Sequence, residues 1–504
     1  MSVIRNQGAW STIITYIGFV IGAVNMFFIL PNIFSKEQVG LVTIFYSVAA
    51  PLIALGMFGM LTIIPKFFPY YKEQVPAKQS DLLTWALLIP TIGILIWGSI
   101  AYCFDDFILR KLGKSPLIKE YYYLFPIYTI GLMYSTILEN FNNQLKDTIW
   151  TSIVKELALR LFTVILIVLA FWGFIDFTTF IEWQSSIFIV AIVLFAIGLK
   201  RMNYWHFSFT PSILTKRVYD KALKYGSFFW LASFAGIMSM FVDTFGVAGR
   251  EGLGATADFG LANQLVMVLQ APQRALQNII MPIISTSWKM NDIVNIEKLY
   301  KKSALNLFLI GGTFFILIIA NLQDILLLLP PSYKGIELLF IVLGVSKLID
   351  LSTGVNAMIV GLSKKHWKGD FYGNILLLSL MLPLVWFFIK WYGVMGAAYA
   401  NLLASFLFNT YKCIFLYVKV GIHHLSRSLA MAIVLISVFS LFFIFVPTSF
   451  ILAENKLWNV ILRVGIRSIV LTSILIGSYY YLKISEDINI LLNIVLRRLK
   501  ITKS

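Results

Sequence analysis

The chain has few of the residues on which most soluble enzymes rely. Only 13% of its 504 residues are charged, four are histidines and two are cysteines, whereas soluble domains carry about 25% charged residues. Cys103 and Cys413 are too few for a disulfide framework or a metal site, and the His423–His424 pair has no thiol or carboxylate nearby, as a zinc site would need. We find no paired carboxylates and no nucleotide-binding motif. We therefore expect neither an enzyme nor a bound cofactor or metal.

Apolar residues make up 59% of the chain and recur in runs of about 20, the length that crosses a bilayer as a helix. This pattern predicts an all-α polytopic membrane protein with fourteen transmembrane helices. Its connections are too short to hold an outer domain, which argues against membrane polymerases and glycosyltransferases. The predicted spans are 8–30, 39–64, 82–103, 121–141, 149–174, 178–198, 226–247, 258–282, 304–321, 336–360, 370–390, 394–418, 428–447 and 457–482.

The net charge of +17 would suggest nucleic acid as the partner of a soluble protein. In a membrane protein, lysine and arginine instead concentrate in cytoplasmic connections that face anionic lipids. With the N-terminus inside, the inner connections carry 25 basic residues and the outer ones nine. We therefore predict that both termini lie in the cytoplasm, that membrane lipids are the partners of the basic loops, and that no nucleic acid is bound.

An internal repeat divides the chain. A shift of 218 residues aligns Gly18 with Gly236 and Asn25 with Asp243. Six spans separate the two copies, so both run in the same direction and predict a pseudo-twofold axis along the membrane normal. The predicted domains are a six-helix lobe (1–198), a basic cytoplasmic linker (199–225), a second six-helix lobe (226–420), and two additional helices with a basic tail (421–504).

The first span has one small and polar face. Ser11, Thr15, Gly18, Gly22 and Asn25 follow each other at spacings of four and three residues. Small residues let helix backbones approach closely in membranes. We therefore interpret the glycines as a helix-packing surface, and Asn25 as a candidate cavity residue.

The eighth span carries an ordered polar stripe. Asn263, Gln270, Arg274 and Gln277 lie seven, four and three residues apart and share one helical face. An arginine facing lipid is costly, so this face should meet protein or a water-filled cavity. The guanidinium offers paired donors that suit phosphate. We predict that the stripe lines a substrate cavity; the alternative is a structural contact with carbonyl groups of a neighbouring helix.

Other charged residues lie within the predicted spans. Asp243, Glu139 and the pair Lys347 and Asp350 are candidates for coupling to H⁺ or Na⁺, because ionisable residues within membranes are rare without a role or partner. The alternative for Lys347 and Asp350, three residues apart, is an internal ion pair.

A second group of charges lies around the turn between spans 4 and 5. Glu139 closes the fourth span, and Lys155, Glu156 and Arg160 open the fifth. A short turn should bring these two ends together. We therefore predict a salt-bridged cluster at the cytoplasmic mouth, with substrate contact as the secondary interpretation.

Three segments resemble one family. They are "LPNIFSKEQVGLVTIFYSVAAPLIALGMFGMLTIIPKFFP", "DTFGVAGREGLGATADFGLANQLVMVL" and "YGVMGAAYANLLASF" (392–406). They are similar to spans 1–2, 7–8 and 12 of the multidrug/oligosaccharidyl-lipid/polysaccharide (MOP) exporter superfamily, in particular its bacterial oligosaccharide flippases of the Wzx type. The resemblance implies two six-helix lobes in a V shape, and export of undecaprenyl-diphosphate-linked oligosaccharide by alternating access for surface polysaccharide.

The resemblance also implies a monomer in the bacterial cytoplasmic membrane that works beside polysaccharide polymerase and chain-length machinery. Two alternatives share its fold. A lipid II flippase would carry several arginines in its first spans, whereas this chain has none after Arg5 in the first span. A cation-coupled multidrug or metabolite antiporter typically has a carboxylate where this chain has Asn25, although Asp243 could serve in the second lobe.

Overall fold

The structure is a computed structural model that describes residues 2–106, 115–333, 335–363, 365–445, 456–490 and 493. The basic segment 107–114 and the basic tail after 493 lie outside it. Within these residues the regular secondary structure is helical throughout. The α-helices are α1 (Ser2–Val24), α2 (Leu30–Ile33), α3 (Lys36–Gly56), α4 (Met60–Gln74), α5 (Leu82–Cys103), α6 (Pro116–Glu120), α7 (Leu124–Gln144), α8 (Thr148–Ser152), α9 (Leu159–Phe171), α10 (Phe177–Ser185), α11 (Ile187–Arg201), α12 (Ile213–Glu251), α13 (Leu253–Met290), α14 (Ile293–Leu326), α15 (Ile336–Ser352), α16 (Asn356–Leu362), α17 (Lys368–Tyr392), α18 (Val394–Val420), α19 (Arg427–Phe445) and α20 (Lys456–Tyr481).

The helices confirm an all-α polytopic membrane protein. Ten helices of the described chain are long and apolar enough to cross a membrane, or eleven if α15 and α16, bent by 47°, form one span. Helices also occupy the other predicted spans, but α7, α13 and the α8–α9 region carry the polar clusters described below. The count of fourteen spans therefore stays a prediction.

Two predicted single spans contain breaks. The predicted span 39–64 ends as α3 and restarts as α4, because Phe58 (φ 45°) and Gly59 (φ 82°) take left-handed conformations. The predicted span 336–360 bends at Gly354 (φ 63°), between α15 and α16. A glycine inside an apolar run gives no sign of its φ angle, which is why the sequence predicted each of these segments as one span.

Two π-helical turns interrupt the first and fifth predicted spans. They cover Asn25–Ile29, after α1, and Ile153–Ala158, between α8 and α9. Such turns occur frequently at functional sites. Both coincide with residues that the sequence singled out, namely Asn25 in the first turn, and Lys155 and Glu156 in the second.

The second half of the predicted linker is part of a long helix. α12 begins after Ser212, whose hydroxyl accepts a hydrogen bond from the Thr215 N–H at 3.2 Å, and ends at Gly252 (φ 88°). Its 39 residues extend about 58 Å at 1.5 Å per residue. The second half of the predicted linker therefore continues into the seventh predicted span as one helix, because no proline or left-handed residue separates the two.

A buried carboxylate holds the start of α12 on α5. Asp81 is fully buried, and its Oδ2 accepts hydrogen bonds from Trp85 Nε1 at 3.0 Å, Ser212 N at 3.0 Å and Thr215 Oγ1 at 2.6 Å. The Thr84 hydroxyl accepts a further bond from the Ser208 N–H at 3.0 Å. The linker is therefore fixed to the first lobe by hydrogen bonds to one oxygen of this buried carboxylate and to the Thr84 hydroxyl.

The chain divides into two compact units, with boundaries inside α13, α17 and α18. Unit 1 comprises Met1–Gly260 and Leu377–Ala397, and unit 2 comprises Leu261–Leu376 and Ala398–Ser504. The domain division predicted from the repeat rests on duplication of the sequence rather than on compactness, and it stays a prediction.

Unit 1 has a core of large side chains from α4, α7 and α11. Ile64, Phe68, Met133, Phe141 and Phe195 are all at most 2% exposed and belong to one cluster. Helix α12 packs along α3 in the same unit. This core is apolar, so a polar residue within unit 1 indicates a specific contact or a functional role.

α1 packs on the α8–α9 region through its small face. A Cβ on Gly18 would lie 2.4 Å from the Glu156 carbonyl oxygen, and one on Gly22 would meet the Arg160 guanidinium. The Ser11 and Ser152 hydroxyls are hydrogen-bonded. The interpretation of the glycines as a packing surface is confirmed.

In unit 2, α14 packs against α15, α19 and α20. Asp324 of α14 accepts Arg463 Nη2 at 2.6 Å and Arg467 Nη1 at 3.1 Å, and all three side chains are less than 10% exposed. Beyond α20, Asp487 is bound by Lys302 Nζ at 2.8 Å and Asn306 Nδ2 at 2.9 Å, and the hydrogen bond from Lys302 is the largest cause that holds its pKa below the usual range. Charged side chains thus hold the last helices on α14.

We expect Gly18→Ala to destabilise the protein by about 1–3 kcal/mol, because the added methyl group meets backbone atoms that cannot rotate away. Thermal unfolding of the purified protein in detergent measures this. Gly98→Ala is the matched control, since a Cβ at Gly98 meets nothing within 4 Å. Equal unfolding midpoints for the two variants would contradict the packing.

Candidate functional site

Four charged side chains form a cluster in unit 1, called here the unit 1 charged cluster. Lys155 Nζ lies 2.9 Å from Glu139 Oε1, and Arg160 Nη2 lies 2.7 Å from Glu156 Oε2. The π-helical turn supplies Lys155 and Glu156, α9 supplies Arg160 and α7 supplies Glu139. The predicted salt-bridged cluster at the α7–α9 connection is confirmed.

The unit 1 charged cluster is partly open. The Lys155 side chain is 53% exposed and that of Arg160 is 29% exposed, whereas the carboxylates of Glu139 and Glu156 are largely covered. Tyr46 is exposed and lies within electrostatic range of Lys155. Because charged groups that face hydrocarbon are energetically unfavourable, the open side of this cluster should be exposed to water.

Two other predicted residues of unit 1 are buried. Asn25 is 5% exposed and begins the first π-helical turn. Asp243, on α12, is 2% exposed, and its Oδ1 accepts the Thr244 N–H at 2.7 Å and the Thr244 hydroxyl at 3.3 Å. Because hydrogen bonds satisfy a buried carboxylate, the structural interpretation of Asp243 stays open beside the coupling one.

The predicted polar stripe lies on α13, in unit 2. Asn263, Gln270 and Gln277 are half-buried, and Arg274 is exposed. All four lie within one continuous helix, as their spacing requires. What the stripe faces stays a prediction.

A residue beside the stripe reaches a charge pair of unit 2. Lys347 Nζ and Asp350 Oδ2 of α15 form the predicted internal ion pair. The Gln273 side chain of α13 lies within interaction range of the Asp350 carboxylate. The helix that carries Arg274 thus passes close to the ion pair.

The sequence analysis missed a second ion pair in unit 2. Lys412 of α18 is 2% exposed, and its Nζ lies 2.8 Å from Asp370 Oδ1 and 4.2 Å from the centre of the Phe408 ring. A lysine inside an apolar span indicates by itself that an oppositely charged or polar partner lies nearby. Its spacing from Asn409, three residues before it, would have placed both on one helical face.

Amides and hydroxyls connect α15, α16 and α18 in the same unit. Asn409 Oδ1 accepts Thr353 Oγ1 at 2.8 Å and Asn356 Nδ2 at 3.0 Å, and all three side chains are buried. Ser346 Oγ donates to Asn401 Oδ1 at 2.8 Å. In the described chain, no group of three histidine, cysteine or acidic side chains is placed to hold a metal. Apart from the α13 stripe, the polar sites described in unit 2 consist of paired charges and neutral polar groups.

We expect Asp370→Asn to cost about 3–5 kcal/mol, because it leaves the buried Lys412 ammonium uncompensated. The double variant Asp370→Asn/Lys412→Met should recover most of this loss, since an apolar side chain replaces the charge. Unfolding midpoints in detergent provide the measurement. As a control, Glu297→Gln, which breaks the more exposed pair with Lys301, should cost no more than about 1 kcal/mol. A double variant as unstable as the single one would contradict this.

The chain was compared with models of protein families and with curated proteins. The model of the family described as "Polysaccharide biosynthesis protein" matches residues 4–288. None of the curated proteins compared with the chain matches its sequence.

Several solved structures share the fold. The lipid II flippase MurJ, in an inward closed conformation, is 15% identical with a TM-score of 0.66, and the match covers 96% of this chain and 100% of that one. A multidrug resistance MATE family transporter of the MOP superfamily, in an inward-facing conformation, is 14% identical with a TM-score of 0.57, covering 84% and 95%. The Vibrio cholerae MATE transporter VcmN, in a bent form, is 13% identical with a TM-score of 0.52, covering 87% and 100%.

At these identities the structural matches show that the chain shares its fold with these proteins. The family match covers more than half of the chain. The chain is therefore a multi-pass membrane protein that belongs to the polysaccharide biosynthesis protein family.

Proposed function

We propose that the protein is a flippase that moves undecaprenyl-diphosphate-linked oligosaccharide across the bacterial cytoplasmic membrane by alternating access, for surface polysaccharide synthesis. The observation that carries this proposal is an exposed arginine, Arg274, among half-buried amides on α13 of a polysaccharide biosynthesis protein. Both termini lie in the cytoplasm, and the protein works as a monomer beside the polymerase and chain-length machinery. It uses no cofactor and catalyses no covalent step.

A diphosphate is the part of this substrate that hydrocarbon excludes most strongly. An arginine can hold two phosphate oxygens through paired donors, and amides add donors without adding charge. Arg274 with Gln270, Gln277 and Asn263 provides this combination on one helix. We assign the stripe to the diphosphate, and we keep Asn25 as a further candidate contact for the substrate.

An apolar groove supports a substrate with a long lipid chain. It has a volume of about 540 Å³ and is lined by apolar side chains of α19 between Ala430 and Phe439, with Leu482 and the Arg427 side chain. A polyprenyl chain could lie along such a wall while its headgroup crosses the membrane.

We propose an H⁺ or Na⁺ gradient as the energy source, with the carboxylates of Asp243, Asp350 and Glu139 as candidates for coupling. Asp350 and Glu139 are already paired with lysines, so protonation of either would release a cation within its unit.

A lipid II flippase, the function named for the MurJ structure, and a cation-coupled antiporter are second candidates. The buried carboxylate of Asp243 favours the antiporter. In that case Asp243→Asn should abolish efflux, and deletion of the gene should sensitise cells to cationic drugs. Rescue of cells depleted of their lipid II flippase would instead identify a lipid II carrier.

We expect Arg274→Ala to abolish polysaccharide export while the protein stays in the membrane at normal abundance, because the diphosphate loses its cation. Arg274→Lys should retain part of the activity, since an ammonium supplies the positive charge but not the paired, planar donors of a guanidinium. The measurement is surface polysaccharide in a deletion strain carrying each variant.

Lys289→Ala is the matched control, because Lys289 is an exposed cation on the same helix, outside the stripe. It should export as the unmodified protein does. Wild-type export by Arg274→Ala would remove the stripe as the diphosphate site.

A further inference from the structure

The unit 1 charged cluster has a composition that differs from that of the α13 stripe. It contains two carboxylates, Glu139 and Glu156, and two cations, Lys155 and Arg160, joined in two pairs. Its net charge is therefore zero. A neutral cluster gives little net attraction for a diphosphate, because each cation is already matched by a carboxylate at about 3 Å.

We propose that the unit 1 charged cluster, with Tyr46, binds hydroxyl groups of the glycan of the lipid-linked substrate. This proposal rests on the flippase function and assigns the sugar moiety to a site separate from Arg274. A sugar hydroxyl both donates and accepts hydrogen bonds, and paired carboxylates and cations offer acceptors and donors side by side.

The cluster has spare hydrogen-bonding capacity. A lysine ammonium has three donors, and the bond to Glu139 uses one of those of Lys155. A guanidinium has five, and the bond to Glu156 uses one of those of Arg160. Each carboxylate also has a second oxygen. With Lys155 53% exposed, a polyhydroxylated ligand could reach these groups without breaking either ion pair.

An exposed aromatic ring of unit 1 lies within electrostatic range of Lys155. Tyr46 of α3 is 51% exposed, and its ring is held edge-on against Phe241 with the centroids 5.7 Å apart. The apolar face of a pyranose ring stacks on such rings, while the phenol hydroxyl adds a polar contact. An exposed aromatic ring and paired carboxylate and cation groups together offer both the apolar and the polar contacts that a sugar ring can make.

The backbone fixes the cluster in place. Gly22 of α1 leaves the space that the Arg160 guanidinium fills, and Gly18 lies against the Glu156 backbone. The π-helical turn Ile153–Ala158 carries Lys155 and Glu156 on the same segment. The groups are thus held before a ligand arrives, which reduces the entropy lost on binding.

The test compares two probes with the full-length protein in lipid nanodiscs, by native mass spectrometry. One is undecaprenyl diphosphate, and the other is lipid-linked oligosaccharide extracted from the host strain lacking this gene. The double variant Glu139→Gln/Lys155→Gln removes one ion pair and keeps the net charge. We expect it to bind the lipid-linked oligosaccharide at least about tenfold more weakly, about 1.4 kcal/mol, and undecaprenyl diphosphate unchanged.

Glu297→Gln/Lys301→Gln is the matched control, because it removes an ion pair of similar exposure at the start of α14. It should bind both probes as the unmodified protein does. Unfolding midpoints show whether a variant is misfolded. If Glu139→Gln/Lys155→Gln is misfolded, Tyr46→Leu takes its place, and it too should weaken binding of the lipid-linked oligosaccharide but not of undecaprenyl diphosphate.

Equal losses for both probes in a folded variant, or no loss for either, would overturn the sugar site. Arg274→Ala is measured in parallel and tests the proposed function separately, since it should weaken binding of both probes. If the unmodified protein binds undecaprenyl diphosphate and lipid-linked oligosaccharide equally, only the sugar site fails. If it binds neither probe, the flippase function fails as well.

Discussion

A charged side chain is energetically unfavourable in an apolar helical bundle, because it loses its hydration there. Several of the ionisable groups within the described helices accordingly lie beside a group of opposite charge, as Lys412 beside Asp370 and Arg467 beside Asp324 show. The benefit lies less in net stability than in avoiding an uncompensated charge. These two pairs also join different helices, α18 with α17 and α20 with α14, so side-chain chemistry helps to determine which helices are neighbours.

The same constraint separates two kinds of polar site. Paired charges, such as Lys412 of α18 with Asp370 of α17, are neutral and link helices within one unit. The α13 stripe instead combines one exposed arginine with amides. A cationic site suits a phosphate ester, whereas neutral pairs suit hydroxyl groups or coupling ions. A lipid-linked oligosaccharide contains both a diphosphate and sugars, so both kinds of site have a place in its transport.

The sequence predicted the helical, polytopic architecture because hydrophobic length alone determines it. It also predicted the contacts made within one helix or across one short turn, such as Lys347 with Asp350 and Glu139 with Lys155. Pairs between helices far apart in the chain, such as Lys36 of α3 with Asp258 of α13 at 2.8 Å, carry no signal in spacing. The break at Gly59 was missed for a related reason, because tertiary packing selects its left-handed conformation.

Flippase activity can be measured as transbilayer movement of the substrate by the purified protein. Lipid-linked oligosaccharide, incorporated into proteoliposomes, would be labelled from outside with a membrane-impermeant reagent. In vesicles that hold the protein, lipid-linked oligosaccharide from the inner leaflet should reach the outer leaflet and be labelled. The labelled fraction should therefore exceed the roughly one-half of the pool that is labelled in protein-free vesicles. Labelling that stays at the protein-free level, with correctly folded protein and an imposed H⁺ or Na⁺ gradient, would contradict the proposed flippase function.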